Sequence, residues 1–434
     1  MTLSPETPPI LPPWHTGAVA PREERTLPLV WRALWMSRLV VLFAGFTSVV
    51  QVGISPGATA AYDPTGLTAP FGYFANALVA PLARWDSVWY LTIAKSGYGG
   101  NVMRMAFFPL YPLLIHVVGF VTRSNLVAGV LISLVSLGVG LSLLYRLVRL
   151  DFSREVAELT VLLLAFCPMS FFFSAVYTES LFLALSVGSI YAARRERWWL
   201  AGLLGGLAAL SRNGGIALIV PLAVIYVYGP RGTDPAPAPA RPLLPRYRLR
   251  PDAAWLLLIP AGLGIYLGYL GIRYGQTFAP FTAEKVWYRQ STFPLITIWH
   301  GAEQAWNGLR QLLHGPNPPY YIPLYAAGPT GAALQDIILF LFLVLGLTGL
   351  VAMARRLPVA YTLYTLALLV LALADPVSLQ PLASLPRYML VIFPLFIWGA
   401  QFVQRRGWQV PAICALAVLL GLFTAEFATW RWVA

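Results

Sequence analysis

The chain has 434 residues, of which 58% are hydrophobic and only 11% are charged, with a mean hydropathy of +0.68 and a formal net charge of +13. A soluble globular chain is typically about half apolar and about a quarter charged, so this chain cannot cover its surface with polar groups. The composition predicts an all-α integral membrane protein and argues against nucleic acid as a partner. Cys167 and Cys414 both lie in long apolar runs, which predicts neither a disulfide nor a reactive thiol.

Residues 1–28 are rich in proline and carry charges of both signs, without the basic and apolar regions of a signal peptide. We predict a disordered cytoplasmic tail over 1–28 and a single membrane domain over 29–434. A spanning helix needs roughly 20 mainly apolar residues. The sequence predicts about eleven such spans, at 30–52, 125–147, 155–173, 177–193, 198–211, 213–228, 253–273, 334–354, 357–375, 388–404 and 409–430. Two of their stretches, GLLGGLAAL and GLGIYLGYLG, present small residues that allow close helix packing.

The placement of arginine predicts the orientation, because short cytoplasmic loops are enriched in Lys and Arg. The apolar segment 106–122 conflicts with this rule if it crosses the membrane, so we predict that it is re-entrant or lies in the outer interface. Its two prolines, Pro109 and Pro112, suit that prediction. The N-terminus and the Pro- and Arg-rich linker 229–252 are then cytoplasmic, and three segments lie outside: 53–124, 274–333 and 376–387. The basic groups assigned to the cytoplasm are Arg22/Arg25, Arg146/Arg149/Arg154, Arg194/Arg195/Arg197, Arg231 to Arg250, Arg355/Arg356 and Arg405/Arg406.

Asp86 is the most informative acidic residue, since carboxylates near membrane depth are costly. At 100° per residue its neighbours form an apolar stripe, which predicts an amphipathic interfacial helix with Asp86 beside the stripe. A lipid-linked phosphate and a polar acceptor can both reach that position. The alternative is an ordinary helix in which Asp86 caps the N-terminus or pairs with Arg84. The stripe consists of Trp85, Val88, Trp89, Thr92 and Ile93.

Three further candidates lie at breaks or at the outer ends of spans. Arg212 interrupts an apolar stretch before Asn213 and two glycines, where a guanidinium can bind phosphate; the alternative is a turn with an arginine that reaches the interface. Arg387 and Tyr388 open a later span, and the alternative for them is an interfacial anchor. Glu179 begins a span, where helix capping also explains it.

Other chemistry is weakly indicated. His15, His116, His300 and His314 do not cluster in sequence, and the chain has no zinc spacing, Walker A sequence or dinucleotide-binding glycine motif. No cofactor is predicted with certainty, and a divalent metal, Mg²⁺ or Mn²⁺, stays an open possibility. The outer segment with Glu284, Lys285, Tyr288 and Arg289 is either a polar acceptor site or a solvated face. Trp430 and Trp432, after the last span, predict an interfacial aromatic anchor.

The run Arg84-Trp85-Asp86-Ser87-Val88-Trp89-Tyr90-Leu91, with Gly97-Tyr98 and Phe107-Phe108-Pro109-Leu110-Tyr111-Pro112, resembles the first outer loop of a mannosyltransferase family. That family comprises the second mannosyltransferase of glycosylphosphatidylinositol-anchor assembly (PIG-V) and its prokaryotic relatives. Further segments are similar in the same order, around Tyr177-Thr178-Glu179-Ser180, Gly205 to Gly215 and Pro386-Arg387-Tyr388. Relatives more often show Arg-Pro where this chain has Arg212-Asn213.

The resemblance implies a GT-C fold and a polyprenyl-phosphate sugar as donor, with Trp85 and Asp86 as the essential pair of the family. We predict Asp86 as the catalytic base. The substrate-binding residues that we predict are Trp85, Arg84, Tyr90, Tyr98, Phe108, Glu179, Arg212, Arg387 and Tyr388.

Residues and resemblance together predict an inverting mannosyltransferase that uses polyprenyl-phosphate-mannose at the outer face of a bacterial plasma (inner) membrane. The acceptor of the eukaryotic members does not carry over, because the many Arg and few Lys are typical of a GC-rich bacterial genome. A glycan, glycolipid or protein acceptor stays open. The alternatives are transfer of another lipid-linked sugar, a lipid-linked-sugar flippase and a non-catalytic scaffold subunit.

Overall fold

The computed structural model describes residues 26–230, 245–315 and 329–433. The described residues form helices joined by loops, with no strand beyond an isolated antiparallel bridge between Arg289 and Val377, which confirms the predicted all-α class. The predicted tail falls mostly outside the described residues, as does most of the predicted linker 229–252. The helices are α1 (Thr26–Gln51), α2 (Ala58–Tyr62), α3 (Tyr73–Val79), α4 (Ser87–Ser96), α5 (Leu110–Thr122), α6 (Asn125–Val148), α7 (Arg154–Phe166), α8 (Glu179–Arg194), α9 (Trp198–Ser211), α10 (Ile219–Tyr228), α11 (Leu258–Tyr274), α12 (Ala279–Thr282), α13 (Pro294–His314), α14 (Pro329–Met353), α15 (Val359–Ala374), α16 (Leu385–Met389), α17 (Phe393–Arg406) and α18 (Gln409–Ala428).

Five helical segments of the described chain are long and apolar enough to cross a membrane by length and composition. Other predicted spans appear as shorter apolar helices, such as α9 and α15, so the count of eleven crossings stays a prediction. A helix of 14 residues such as α9 is only about 21 Å long, whereas the hydrocarbon core is about 30 Å thick. The five long segments are Pro28–Gln51, Asn125–Val148, Pro251–Tyr274, Thr330–Met353 and Gln409–Ala428.

The predicted span 155–173 is broken rather than continuous. Helix α7 ends at Phe166, and a short 3₁₀ segment follows at Ser170–Phe173. Arg38 of α1 is buried and donates to the carbonyl oxygens of Ala165 (3.0 Å) and Ser170 (2.7 Å) at this break. Backbone groups freed inside an apolar environment need such partners. The arginine therefore stabilises the non-helical segment that leads into α8.

Helix α8 lies at the centre of the bundle and packs between α6 and α9. All of its residues except Tyr191 are buried. Because the helix begins at Glu179, a carboxylate stands at its N-terminal end, where the helix dipole favours negative charge.

Helices α9 and α11 touch through their backbones, as the two small-residue stretches predict. A Cβ atom on Gly262 would lie 2.2 Å from the carbonyl oxygen of Gly206. A Cβ atom on Gly206 would lie 2.6 Å from the carbonyl oxygen of Leu258. Only glycine permits this approach.

Helix α5 packs beside the beginning of α6, to which it is joined by a short turn at Arg123 and Ser124. Tyr111 at its start donates to the carbonyl oxygen of Gly129 at 3.0 Å, so α5 runs antiparallel to α6. Its outward face is apolar, which is typical of lipid contact, and the re-entrant or interfacial position stays a prediction. The exposed residues are Leu113, Val117, Phe120 and Val121.

The predicted outer segment 274–333 contains a 21-residue helix, α13, that the sequence analysis missed. Its buried side is made of small and polar residues that face α14. An apolar-span search does not find a helix of this kind, because charged and amide side chains interrupt its apolar residues.

Candidate active site

Asp86 lies in a tight turn that precedes α4. Trp85 adopts a left-handed conformation, with φ of 54°, and the helix begins only at Ser87. The hydroxyl of Tyr177 accepts from the Asp86 N–H and donates to the carbonyl oxygen of Arg84, both at 3.2 Å. The prediction that Trp85 belongs to the stripe of the helix is therefore wrong. Because of this turn, the side chains of Trp85 and Asp86 point in different directions.

The carboxylate of Asp86 forms an ion pair with Arg387, with 2.6 Å between Oδ2 and Nη1. Its side chain makes no capping hydrogen bond to α4, and Arg84 is directed elsewhere. Both alternative interpretations of Asp86, a helix cap and an Arg84 partner, are therefore contradicted by the geometry.

Glu179 joins the two predicted phosphate-binding arginines. Its Oε1 atom lies 3.0 Å from Nε of Arg387 and 3.1 Å from Nη1 of Arg212. Its side chain is fully buried, whereas those of the two arginines keep 14% and 13% exposure. Alternating charges run from Asp86 through Arg387 and Glu179 to Arg212. Such alternation offsets the cost of removing each charge from water.

The arginines also surround the ring of Tyr388. The guanidinium carbons of Arg212, Arg387 and Arg289 lie 4.8, 5.4 and 5.8 Å from the ring centroid. Nη2 of Arg289 also donates to the Tyr388 hydroxyl at 3.2 Å. Cation–π contacts attract the guanidinium groups to the Tyr388 ring, and the ring separates the three cationic groups from one another.

Arg212 is placed by a break after α9, as predicted. The helix ends at Ser211, Arg212 is extended, and a 3₁₀ segment follows at Asn213–Leu218. A Cβ atom on Gly215 would lie 2.3 Å from the backbone nitrogen of Ala209, so the turn needs glycine there. The turn directs the guanidinium toward Glu179 inside the protein, which contradicts the alternative of an arginine that reaches the interface.

These groups border a cavity of about 200 Å³. Of the predicted site residues, six line it: Asp86, Tyr90, Phe108, Arg212, Arg387 and Tyr388. Trp85 instead lines a small adjoining pocket with Asp86, Arg387 and Trp432.

Three further predicted substrate-binding residues line neither the cavity nor the adjoining pocket. Arg84 is buried and donates from Nε to the carbonyl oxygen of Ala428 at 2.9 Å, because the Trp85 turn directs it toward the end of α18. Tyr98 is buried and donates to the carbonyl oxygen of Phe107 at 2.8 Å, so it fixes the loop after α4. Glu179 lies behind the two arginines. The geometry therefore gives these three residues no contact with the cavity, and their role in substrate binding stays a prediction.

Trp430 and Trp432 are not an exposed interfacial anchor. Trp430 is buried, and its ring stacks on Tyr62 with centroids 5.8 Å apart. Trp432 meets Trp85 edge to face at 5.3 Å and lines the cavity. The segment after α18 therefore folds over the Trp-Asp turn. The sequence offers no local signal for this long-range contact.

A second wall of the cavity comes from the segments after α11 and α15, which the sequence predicts to be outer. It contains Glu284, Trp287, Arg289 and Asp375. Burial raises the pKa of the Glu284 carboxyl above its ordinary value, and the nearby Arg289 opposes this shift. Of the four residues that the sequence offers for an acceptor site, Glu284 and Arg289 line the cavity, whereas Lys285 and Tyr288 are exposed. Among the residues that the structure describes, no three His, Cys, Asp or Glu side chains are grouped closely enough to hold a metal ion.

A family model matches the first half of the chain. Residues 29–225 match the model of a family described as Mannosyltransferase (PIG-V). The chain is 32% identical over 175 residues to the rat GPI alpha-1,6-mannosyltransferase 2. The match covers 37% of this chain and 35% of the rat protein. It is 28% identical over 137 residues to GPI mannosyltransferase 2 of Schizosaccharomyces pombe, or 31% of this chain and 29% of that protein. The matches thus span about a third of each relative.

Among solved structures, the chain is similar to two structures of the oligosaccharyltransferase from the archaeon Archaeoglobus fulgidus. One holds zinc and sulfate, has a TM-score of 0.41 at 13% identity, and is matched over 91% of this chain and 53% of that one. The other holds an inhibitory peptide and a dolichol-phosphate, with the same score and identity over 93% of this chain and 57% of that one. The sequence comparisons confirm the resemblance of this membrane protein to PIG-V mannosyltransferases. The family model matches residues 29–225, the part that carries Asp86, Glu179 and Arg212.

Proposed function

We propose that the protein is an inverting mannosyltransferase that transfers mannose from polyprenyl-phosphate-mannose to a hydroxyl acceptor at the outer face of the membrane. The observation that carries this proposal is the cavity in which the carboxylate of Asp86 and the guanidinium groups of Arg212 and Arg387 meet. The similarity to mannosyltransferases supports the choice of sugar, and the two arginines that line the cavity support a donor that carries a phosphate.

Arg212 and Arg387 hold the phosphate of the donor. Guanidinium groups bind phosphate oxygens in a bidentate manner, and both residues line the cavity while Glu179 holds them from behind. A phosphate in the cavity competes with Asp86 for Arg387. Donor binding therefore separates the resting ion pair and leaves the carboxylate of Asp86 free to act as a base.

The proposed transfer forms one glycosidic bond, breaks the bond to phosphate and moves one proton. The acceptor oxygen attacks the anomeric carbon of mannose, and its proton passes to the carboxylate of Asp86. The bond between the anomeric carbon and the phosphate oxygen breaks, and polyprenyl phosphate leaves with its new negative charge opposite Arg212 and Arg387. A cavity of about 200 Å³ is smaller than pockets for drug-sized ligands, roughly 300–1,000 Å³. The polyprenyl chain must then lie outside it.

The test uses purified protein in liposomes with a bacterial lipid and glycan extract as acceptor pool. Polyprenyl-phosphate-mannose and GDP-mannose, each carrying radiolabelled mannose, are supplied in separate reactions. The proposal predicts labelled product from the lipid-linked donor only. Product from GDP-mannose alone would overturn the choice of donor, and movement of the donor across the bilayer without any transfer would favour a flippase.

A further inference from the structure

The cavity has two chemically different walls. One carries the alternating pairs of Asp86, Arg387 and Arg212, which the proposed reaction uses. The other carries two carboxyl groups, Glu284 and Asp375, for which that reaction provides no role.

The second wall is held rigidly between two chain segments. The backbone of residues 288–292 pairs with that of 374–378, through Gln290 N to Pro376 O (3.2 Å), Thr292 N to Ala374 O (2.8 Å) and Ser378 N to Tyr288 O (2.9 Å). This pairing sets Arg289 and Asp375 side by side. Nη1 of Arg289 donates to the Asp375 carbonyl oxygen at 2.6 Å, and the Ser291 hydroxyl donates to the Asp375 carboxylate at 2.6 Å.

The carboxyl group of Glu284 is different, because it has neither an ion pair nor a hydrogen bond with any of the described residues. It is half-buried and lines the cavity. A half-buried carboxyl without a protein partner is hydrogen-bonded by water or by a ligand. Because Glu284 lines the cavity, it is available to accept from a hydrogen-bond donor that enters there.

An aromatic side chain completes this wall. Trp287 lines the cavity and is braced edge to face by Trp89 and Phe107, each with centroids 5.9 Å away. Trp89 and Phe107 stack on one another at 5.7 Å. Carboxylates that accept from hydroxyls, next to an apolar ring that covers carbon-bound hydrogens, match the surface of a sugar ring.

We infer that Glu284, Trp287 and Asp375 form the acceptor subsite of the protein and that the acceptor presents an uncharged sugar ring. This inference rests on the proposed function and deepens it. The two carboxyl groups outnumber the single guanidinium of Arg289 on this wall, which disfavours a phosphorylated or carboxylated acceptor, whereas carboxyl groups accept from several hydroxyls of one ring. A serine or threonine acceptor offers a single hydroxyl, which Asp86 engages, and leaves Glu284 without a partner.

Octyl α-D-mannopyranoside and octanol serve as the test acceptors, since they share a tail and differ in the sugar ring. The donor is radiolabelled polyprenyl-phosphate-mannose, and its hydrolysis to free mannose reports transfer to water. The wild-type protein should use octyl mannoside far better than octanol. Glu284→Ala should raise the KM for octyl mannoside about tenfold or more, since a hydrogen bond to a charged group is lost. The loss should appear in the KM for the acceptor and not in the KM for the donor.

Glu303→Gln is the matched control, because Glu303 is an exposed acid on α13 outside the cavity. An unchanged KM in Glu284→Ala, or equal use of octanol and octyl mannoside by the wild type, would overturn the acceptor subsite while hydrolysis still supports the proposed function. A wild-type protein that neither hydrolyses nor transfers the donor would contradict the proposed function, and the inference would fall with it.

Discussion

Arg387 lies 2.6 Å from the carboxylate of Asp86 although 301 residues separate them in the chain. The same guanidinium contacts Glu179 at 3.0 Å. One arginine therefore links the proposed base to the buried end of α8. We propose that the same arginine also binds the phosphate of the donor.

Replacement of Arg387 tests this double task. Arg387→Gln should lower kcat/KM for transfer by about 10²–10³, the range for loss of one charge-stabilising group in an active site. The change should appear both in the donor KM and in kcat, because binding and departure of the phosphate both use the guanidinium. Arg405→Gln, at the exposed end of α17, is the control and should leave both constants unchanged. A loss confined to the acceptor KM would argue against a phosphate role.

Glu179 should matter for stability as well as for activity. Glu179→Gln leaves Arg387 and Arg212 without their shared buried carboxylate, and removal of one partner from a buried ion pair costs about 3–5 kcal/mol. Thermal unfolding in detergent should therefore begin at a clearly lower temperature. Glu158→Gln removes an exposed i,i+4 pair with Arg154, which is worth less than about 1 kcal/mol. Equal unfolding temperatures for the two variants would show that the buried Glu179 stabilises the fold no more than the exposed Glu158 does.

Two glycines in α11 provide a matched pair for the packing of α9 on α11. Gly262→Ala places a Cβ atom 2.2 Å from the Gly206 carbonyl oxygen, whereas Gly264→Ala meets nothing within 4 Å. The first should cost about 1–3 kcal/mol or more of unfolding free energy, since backbone cannot move aside cheaply. The second should be neutral or favourable, because Ala is a better helix former than Gly. Unfolding curves of both variants in one detergent would check this order, and a reversed order would contradict the backbone contact.

The acceptor KM should depend on pH through Glu284. Burial raises the pKa of this carboxyl, so in mildly acidic solution more of it is protonated than in a free glutamate. A protonated carboxyl accepts less strongly from sugar hydroxyls. The KM for octyl mannoside should therefore rise as pH falls through the raised pKa, and Glu284→Gln should remove this pH dependence. A wild-type KM that is constant over this pH range would count against the carboxylate.

The sequence predicted those parts of the fold and the site that depend on local pattern. Long apolar runs predict helices because burial in lipid demands internal backbone hydrogen bonding. The break at Arg212 was readable because a charged residue and two glycines interrupt such a run. The helix α13 was not, since its buried face is small and polar.

The errors within the site concern side-chain direction. Arg84 and Tyr98 are close to Asp86 in sequence, but a left-handed residue at Trp85 and a separate loop direct them away. The partners that do meet Asp86 come from distant segments, as Arg387 and Trp432 show. Such pairings depend on how helices pack together, and a single sequence carries no local signal for them.

The role of Asp86 as the base is tested most directly by comparing the reconstituted wild-type protein with Asp86→Asn. The measurement is transfer of radiolabelled mannose from polyprenyl-phosphate-mannose. The asparagine keeps the size of the side chain but cannot accept the proton. The account predicts labelled product from the wild type and from the Glu303→Gln control, and at most a trace from Asp86→Asn, although that variant still binds the donor. Equal product from wild type and Asp86→Asn would contradict the assignment of Asp86 as the base.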